Sequence, residues 1–97
     1  MALVHFAQSA ENDLLEAWLV VAEDNMTTAD RMLDNIEREA ATLSRQPLMG
    51  RSRPKLGDGV RSWPTSTAYI LFYLADEQGV TVPRALHHSR DIHRAWF

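Results

Sequence analysis

The chain has 97 residues, of which 45% are hydrophobic and 24% charged, with four glycines, four prolines and no cysteine. This length accommodates one hydrophobic core, so we expect a single domain over residues 1–97, and the composition excludes disordered and collagen-like chains. The lack of cysteine excludes a disulfide scaffold and thiolate metal sites, and it is typical of a reducing compartment.

The formal net charge of −3 conceals an uneven distribution. Residues 1–44 carry nine acidic and two basic residues, a formal charge of −7, whereas residues 45–97 carry four acidic and eight basic residues, a formal charge of +4. Such asymmetry indicates either an anionic partner for the basic half or two solvated faces of opposite sign.

The apolar runs are too short for a membrane span, and no secretory signal precedes them. The longest runs cover residues 17–22 and 69–75, whereas a span needs about 18 residues. A basic segment ahead of a hydrophobic stretch, as in a signal peptide, is not seen. We therefore expect a cytoplasmic protein that does not contact a membrane.

A short strand and an amphipathic helix are predicted at the start of the chain. Leu3–Phe6 alternates in the manner of a strand. The helix is predicted from Ser9, a suitable N-cap, to Glu23, with acidic residues in its first turns that complement the helix dipole. Its apolar stripe comprises Leu14, Trp18, Val21 and Ala22.

A second helix is predicted from Thr27 or Thr28 to the residues before Pro47. Asp30 stands three residues after Thr27, where a capping box places its acid, and Pro47 ends the helix. Because the connection is short, the two helices are predicted to form an antiparallel hairpin. The apolar face of the second helix comprises Ala29, Met32, Leu33, Ile36, Ala40 and Leu43.

A linker and an antiparallel meander are predicted in the second half. Residues 46–59 form an extended, turn-rich linker. Pro83 cannot donate to a ladder, so it favours an edge position or a bulge. The strands are predicted at Val60–Trp63, which Pro64 ends, at Thr67–Ala75 and, after a turn over residues 76–79, at Val80–Leu86.

The last residues, Ser89–Phe97, are predicted either as a short helix that packs Ile92, Trp96 or Phe97 onto the sheet or as a loose tail. An aromatic pair at this end is either docked or exposed as an interaction patch. The summed order β-α-α-β-β-β predicts an α+β fold, with a helical hairpin packed on a small twisted antiparallel sheet. The other aromatic side chains are predicted to lie in the core or on a sheet face: Trp18, Trp63, Tyr69, Phe72 and Tyr73.

No strong catalytic or metal-binding motif is present. A glycine-rich phosphate loop, a nucleophile elbow and a His-Glu-x-x-His motif are all missing. His87 and His88 are adjacent, so in a strand they would point to opposite faces, and together with His93 they have only Asp91 as a nearby carboxylate partner. We expect no metal, no cofactor, and solvated or hydrogen-bonded histidines.

The basic residues of the second half are the candidate binding residues. If they converge on one side of a small sheet, they form a site for phosphate or for a carboxylate-rich peptide, since guanidinium binds both bidentately. The alternative is ordinary surface charge, or ion pairs with the acidic helices. The set comprises Arg51, Arg53, Lys55, Arg61, Arg84, Arg90 and Arg94.

The order and spacing of several short motifs resemble the ParE toxins of the RelE/ParE toxin–antitoxin superfamily over nearly the whole chain. The motifs are Asp13-Leu-Leu-Glu16, Leu43 and Pro47 followed by Gly50-Arg51, Gly59-Val-Arg-Ser62, the aromatic strand Tyr69–Tyr73, and Arg84-Ala-Leu-His87 with Arg90-Asp91.

This resemblance implies a small bacterial toxin in a hetero-oligomer with a cognate ParD-like antitoxin. The antitoxin's C-terminal segment would fold on the toxin, and its N-terminal part would dimerise and bind operator DNA, whereas the toxin itself would not bind DNA specifically. Acidic antitoxin residues would pair with basic residues of the toxin. The expected antitoxin-binding residues are Arg51, Arg53, Lys55, Arg61 and Arg84.

Two activities occur in this superfamily. RelE-like members are ribosome-dependent mRNA endoribonucleases, for which this chain offers Arg61 and Arg84 as cations and His87 or His88 as a base. ParE-like members poison DNA gyrase by protein contact, which blocks replication and arrests growth.

The gyrase activity is favoured. No tyrosine follows Tyr73, although nucleases of the superfamily commonly carry a late one, and the net charge of −3 opposes approach to the ribosome. The nuclease and a non-toxic binding module remain the alternatives. The expected gyrase contacts are Arg61, Arg84, His87, His88, Arg90, Arg94, Trp96 and Phe97.

Overall fold

A helical hairpin packs on a five-stranded sheet in a computed structural model that describes residues 2–96, with the backbone alone at positions 93 and 95. The predicted α+β fold is confirmed. The elements are β1 (Leu3–Phe6), α1 (Gln8–Ala22), α2 (Met26–Arg45), β2 (Arg51–Ser52), a 3₁₀ turn (Pro54–Leu56), β3 (Arg61–Pro64), β4 (Tyr69–Ala75), β5 (Gly79–His87) and α3 (Ile92–Trp96).

The sheet has the strand order β1-β5-β4-β3-β2. Strands β3, β4 and β5 form the predicted antiparallel meander. The sheet is mixed, however, because β1 pairs with β5 in parallel, with Leu3 opposite Gly79. The predicted linker also contributes to the sheet, since Arg51 and Ser52 pair with Ser62 and Arg61 as the short edge strand β2.

Pro83 lies at a bulge in β5, which was one of its two predicted positions. Phe72 stands opposite Arg84 and Leu74 opposite Thr81, so Val82 and Pro83 together face a single residue of β4. Because a bulge leaves one residue unpaired, the missing N–H of proline costs the ladder no hydrogen bond there.

Helix α1 begins at Gln8, so the prediction of Ser9 as its N-cap is wrong. Ala7 occupies the cap position without a capping side chain, and its N–H donates to the carbonyl of Val82 at 3.0 Å. The Ser9 hydroxyl instead donates to the carbonyl of Pro83 at 2.6 Å. The beginning of α1 therefore supplies hydrogen-bond donors to two carbonyls of β5, at the point where β1 ends.

Helix α2 begins at Met26, and the predicted capping box of Thr27 and Asp30 is wrong. Asn25 is the N-cap, because its side-chain oxygen accepts a hydrogen bond from the N–H of Thr28 at 3.0 Å. Asp30 accepts a hydrogen bond from the indole N–H of Trp18 at 2.8 Å, which ties α2 to α1.

The core between the hairpin and the sheet confirms the predicted face of α2 and corrects that of α1. Leu14, Trp18, Val21 and Ala22 are only half-buried, whereas Ala10 and Ala17 are buried, because small side chains let α1 approach its neighbours closely. Leu15, Leu19 and Val20 are exposed. The core comprises Ala10, Ile36, Ala40, Leu43, Leu71, Tyr73, Val80, Val82 and Ala85.

A second, smaller core covers the opposite face of the sheet. Leu56, Val60, Phe72 and Leu86 are buried there. Helix α3 is present, which was one of the two predictions for the end of the chain. Its Ile92 and Trp96 pack on this cluster, and the Trp96 ring centroid lies 5.5 Å from that of Phe72. A five-residue helix is not stable alone, so these two side chains hold it. Phe97 lies outside the described residues.

Within the described chain, no helix combines the length and the apolar character that crossing a lipid bilayer requires.

Candidate functional site

A basic groove of about 420 Å³ lies on the sheet face opposite the hairpin, between the segment around β2 and the beginning of α3. Four cationic side chains line it, and its floor is apolar. The basic groove comprises Arg51, Arg53, Lys55 and Arg90, together with Ser52, Pro54, Leu56 and Ile92.

Tyr73 fixes the chain that leads into the groove. Its hydroxyl accepts a hydrogen bond from the N–H of Gly50 at 2.8 Å and donates to the carbonyl of Pro47 at 2.7 Å. A Cβ at Gly50 would collide with the Tyr73 ring and would lie 2.8 Å from the carbonyl oxygen of Ser62. Only glycine fits this approach, and it sets the position of Arg51.

Arg53 forms one wall of the groove. Its Nε donates to the hydroxyl of buried Ser62 at 2.8 Å, and its backbone N–H donates to the carbonyl of Val60 at 2.8 Å. The 3₁₀ turn that follows buries Leu56 and leaves Lys55 exposed. The alternation of cation and apolar residue along 53–56 thus supplies both the wall and the floor.

Arg90 forms the facing wall, in the turn between β5 and α3. The N–H of Arg90 donates to the carbonyl of His87 at 3.0 Å. Asp91 caps α3, because its carboxylate accepts the N–H of Arg94 at 3.3 Å. The Arg90 residue is exposed, so its cation is open to solvent at the rim of the groove.

Arg84 lies away from the basic groove, in an ion pair with Asp13. The Asp13 carboxylate accepts hydrogen bonds from Nε at 2.8 Å and from Nη2 at 2.9 Å, and it also accepts the N–H of Ala85 at 3.0 Å. The hydrogen bond to Asp13 raises the pKa of Arg84 above its ordinary value, although burial acts in the opposite direction. The Asp13 carboxylate thus accepts a backbone N–H of β5 that would otherwise pair with a neighbouring strand.

The structure divides the predicted antitoxin-binding residues. Arg51, Arg53 and Lys55 come together in the basic groove. Arg61 does not join them, since its guanidinium donates to the carbonyl of Gly50 at 2.7 Å, and Arg84 is paired with Asp13.

The predicted gyrase contacts are divided in the same way. Arg90 lies in the groove, Arg94 is exposed on α3, and Trp96 is docked on the second core. His87 and His88 do not point to opposite faces, because β5 ends at His87 and the chain turns, which stacks the two rings with centroids 4.5 Å apart.

The sequence-based prediction missed the apolar floor of the groove and did not name the partner of Arg84, although ion pairs with the acidic helices were one of its alternatives. The apolar floor of Leu56 and Ile92 was not identified, and the linker gives no periodic signal that marks Leu56 as buried. Asp13 did carry a signal, since it stands between Ala10 and Ala17 at helical spacing on the buried face of α1. An acidic residue on such a face requires a partner.

A small notch of about 190 Å³ lies beside His87, where nuclease chemistry would have to occur. Its lining includes Asp13, Glu16, Tyr69 and Arg90. The Nδ1 atom of His87 accepts the backbone N–H of Ser89 at 3.1 Å and lies 2.8 Å from the Ser89 hydroxyl oxygen. Burial, with a contribution from Glu16, raises the pKa of Tyr69.

The described side chains contain no group of three or more histidine, aspartate or glutamate residues placed to hold a metal ion. The His93 side chain lies outside that description.

Comparison with known proteins gives a match to one family model, described as the ParE toxin of the type II toxin-antitoxin system parDE, over residues 4–92. No curated protein matches significantly. Matching solved structures include a chain described as the chromosomal ParDE TA system from P. aeruginosa, with a TM-score of 0.72 and 17% identity. The match covers 90% of this chain and 96% of that chain, and at this identity it establishes a shared fold.

Proposed function

This chain belongs to the ParE toxin family of type II toxin–antitoxin systems, and from that premise we propose that it poisons DNA gyrase by protein contact and is neutralised by a bound antitoxin. Poisoned gyrase blocks replication and arrests growth. The antitoxin is ParD-like, with an N-terminal part that dimerises and binds operator DNA, and the site of action is the cytoplasm.

The observation that carries the choice of gyrase is the pairing of Arg84 with Asp13. A ribonuclease without metal needs a cation beside the phosphate and a base at the 2′-hydroxyl. Arg84 is held by two hydrogen bonds to Asp13, so its charge is already neutralised by that carboxylate. Nuclease chemistry would have to displace that ion pair.

The notch beside His87 supports the same choice. The carboxylate of Glu16 and the guanidinium of Arg90 both line it, so the notch lacks the excess of positive charge that would bind a phosphate without a metal ion. The Nδ1 atom of His87 contacts the N–H and the hydroxyl of Ser89, so this nitrogen is already occupied.

The basic groove suits contact with a protein. Arginine and apolar anchors in one concave patch are typical of the residues that contribute most to protein–protein binding. We place the gyrase contact on the groove and on the adjoining exposed residue Arg94 of α3, so Arg61 and Arg84 act in the fold and not in the contact.

The test adds purified toxin to gyrase and plasmid DNA and measures supercoiling and cleaved complexes. We expect supercoiling to fall and cleaved DNA to accumulate. Arg90→Glu in the groove should weaken this effect at least about tenfold, while Arg31→Glu on the exposed surface of α2 changes it less than twofold.

Three results would contradict the proposal. Unchanged supercoiling and cleavage with folded wild-type toxin that arrests growth would exclude gyrase as the target. Cleavage of mRNA on translating ribosomes would establish the nuclease alternative. Normal growth on induction without antitoxin would indicate a non-toxic binding module.

A further inference from the structure

The chain between α2 and β2 leads to an inference about the contact with the target, which rests on the proposed function. We propose that this apolar turn, residues 47–50, inserts Leu48 and Met49 into a preformed apolar pocket of gyrase and so extends the contact made by the basic groove. Both residues are exposed, and Leu48, at 75%, is the most exposed large hydrophobic residue in the part of the chain that the structure describes.

Neither burial nor local propensity accounts for Leu48. The exposed residues Leu15 and Leu19 lie in α1, where leucine favours the helix. In a turn the favoured residues are glycine, proline, asparagine, aspartate and serine, so a polar residue at position 48 would form this turn equally well. A single exposed leucine is ordinary on a protein surface, but here a second apolar residue, Met49, follows it directly.

The sheet holds the apolar turn on both sides of the exposed pair. The hydroxyl of the buried Tyr73 donates to the carbonyl of Pro47 at 2.7 Å and accepts the N–H of Gly50 at 2.8 Å. The guanidinium of Arg61 donates to the carbonyl of Gly50 at 2.7 Å. Because these bonds fix the backbone before any partner arrives, presenting Leu48 costs little conformational entropy on binding.

The shape of the turn selects a folded partner. A projecting side chain needs a cavity that exists before binding, and a folded protein can offer one. An antitoxin segment that folds on the toxin instead fills a concavity of the toxin. Gyrase, the folded target, is therefore the occupant that fits Leu48 and Met49.

Position and charge agree with this partner. Arg45 and Arg51 flank the turn along the chain, both are exposed, and Arg51 also lines the basic groove. The turn thus continues the surface on which we place the gyrase contact. The complementary site on gyrase is an apolar pocket with acidic side chains at its rim, since an apolar centre within a polar rim is the usual composition of a protein interface.

The first experiment compares substitutions at Leu48 by the amount of toxin that gives half-maximal DNA cleavage by gyrase. Leu48→Gln should require at least about tenfold more toxin than wild type, because burial of a leucine is lost. Leu48→Met should remain within about twofold. The matched control is Leu15→Gln, the same exchange at an exposed position of α1, which should also remain within about twofold. All variants should unfold at the wild-type urea midpoint.

The second experiment places a thiol beside the anchor. The chain contains no cysteine, so Met49→Cys carries the single thiol and keeps Leu48. Maleimide alkylation of the toxin is followed by mass spectrometry, and an excess of gyrase should slow it at least about fivefold, since a covered thiolate cannot react. Leu15→Cys is the control and should be alkylated at the same rate with and without gyrase.

The outcomes separate this inference from the proposed function. Wild-type toxin that poisons gyrase, together with folded Leu48→Gln of equal potency, would overturn the inference and leave gyrase poisoning standing. Protection of the thiol by the antitoxin but not by gyrase, or by raised toxin concentration alone, would assign the turn to the antitoxin or to a second copy and would also overturn it. Wild-type toxin without effect on gyrase would overturn the proposed function itself, and with it gyrase as the occupant.

Discussion

Asp13 in α1 holds Arg84 in β5 through two hydrogen bonds, although the two residues are 71 positions apart in the chain. The same carboxylate accepts the N–H of Ala85. The Asp13 side chain is 10% exposed and the Arg84 side chain 22% exposed, so the pair is largely removed from solvent. One acidic residue thus joins the hairpin to the sheet and completes the edge of β5.

Removing the charge of Asp13 is expected to destabilise the fold. Asp13→Asn keeps the shape but loses the charge-assisted bonds to Arg84, which should lower the free energy of unfolding by about 2 kcal/mol. Urea denaturation gives this difference. The control is Glu11→Gln, an exposed acidic residue of the same helix, for which we expect a change within about 0.5 kcal/mol. Equal midpoints for the two variants would show that the pair contributes nothing.

Arg84→Lys distinguishes a structural arginine from a contact residue. Lysine keeps the charge but loses the bidentate geometry, so we expect a stability loss of about 1 kcal/mol. Gyrase cleavage measured well below the unfolding midpoint should remain within about twofold of wild type, since Arg84 is bound to Asp13. A tenfold loss of cleavage by folded Arg84→Lys would place this residue in the contact.

The Tyr73 hydroxyl should contribute to the position of the basic groove. Tyr73→Phe leaves the Gly50 N–H and the Pro47 carbonyl without their partner, at an expected cost of about 1–3 kcal/mol. Thermal unfolding measures the loss, and hydrogen exchange at Gly50 and Arg51 should accelerate. Tyr69→Phe, on a half-buried tyrosine of the same strand, is the matched control. Unchanged exchange in Tyr73→Phe would contradict this role.

Glu39 should make the fold sensitive to acid. Burial raises its pKa, but hydrogen bonds from the N–H and hydroxyl of Ser66 and from the Trp63 indole outweigh burial, and the pKa lies below its ordinary value of 4.5. A lowered pKa means that the stabilisation is complete above about pH 4.5 and is lost as the pH falls through the folded-state pKa.

Glu39→Gln tests this dependence. The variant should be about 1–2 kcal/mol less stable than wild type at pH 7, and the difference should shrink as the pH falls below about 4.5 and Glu39 becomes protonated. Urea midpoints measured from pH 7 to pH 3 give both values. Glu37→Gln, at an exposed position of α2, should lack the pH-dependent difference. A difference that stays constant down to pH 3 would contradict the proposed linkage.

Local pattern predicted most of the elements because their periodicity reflects burial. The apolar face of α2 and the meander of β3, β4 and β5 follow directly from spacing and turn residues. The parallel pairing of β1 with β5 did not follow, since strand direction depends on where the hairpin returns the chain. The predicted N-cap of α1 was wrong because the carbonyl of Pro83, distant in sequence, accepts the hydrogen bond of the Ser9 hydroxyl.

The site was predictable as a set of charges but not as a geometry. The excess of basic residues after residue 45 marked the relevant half, and residues 51–55 do form a cluster. Which cations stay available depends on contacts across the fold. Arg61 is hydrogen-bonded to the carbonyl of Gly50, and Arg84 is ion-paired with Asp13. No short-range pattern distinguishes these two arginines from Arg51 or Arg90.

The parallel pairing of β1 with β5 sets the order in which the chain acquires its structure during synthesis. Residues 79–82 supply the partners of Leu3–Phe6, so the first strand cannot dock until almost the whole chain has left the ribosome. The hairpin has local contacts and can form early, but the second wall of the basic groove, at Arg90, comes later still. Ribosome-bound chains halted before residue 79 should therefore remain sensitive to protease at β1, and the toxin becomes competent to bind only at the end of its own translation.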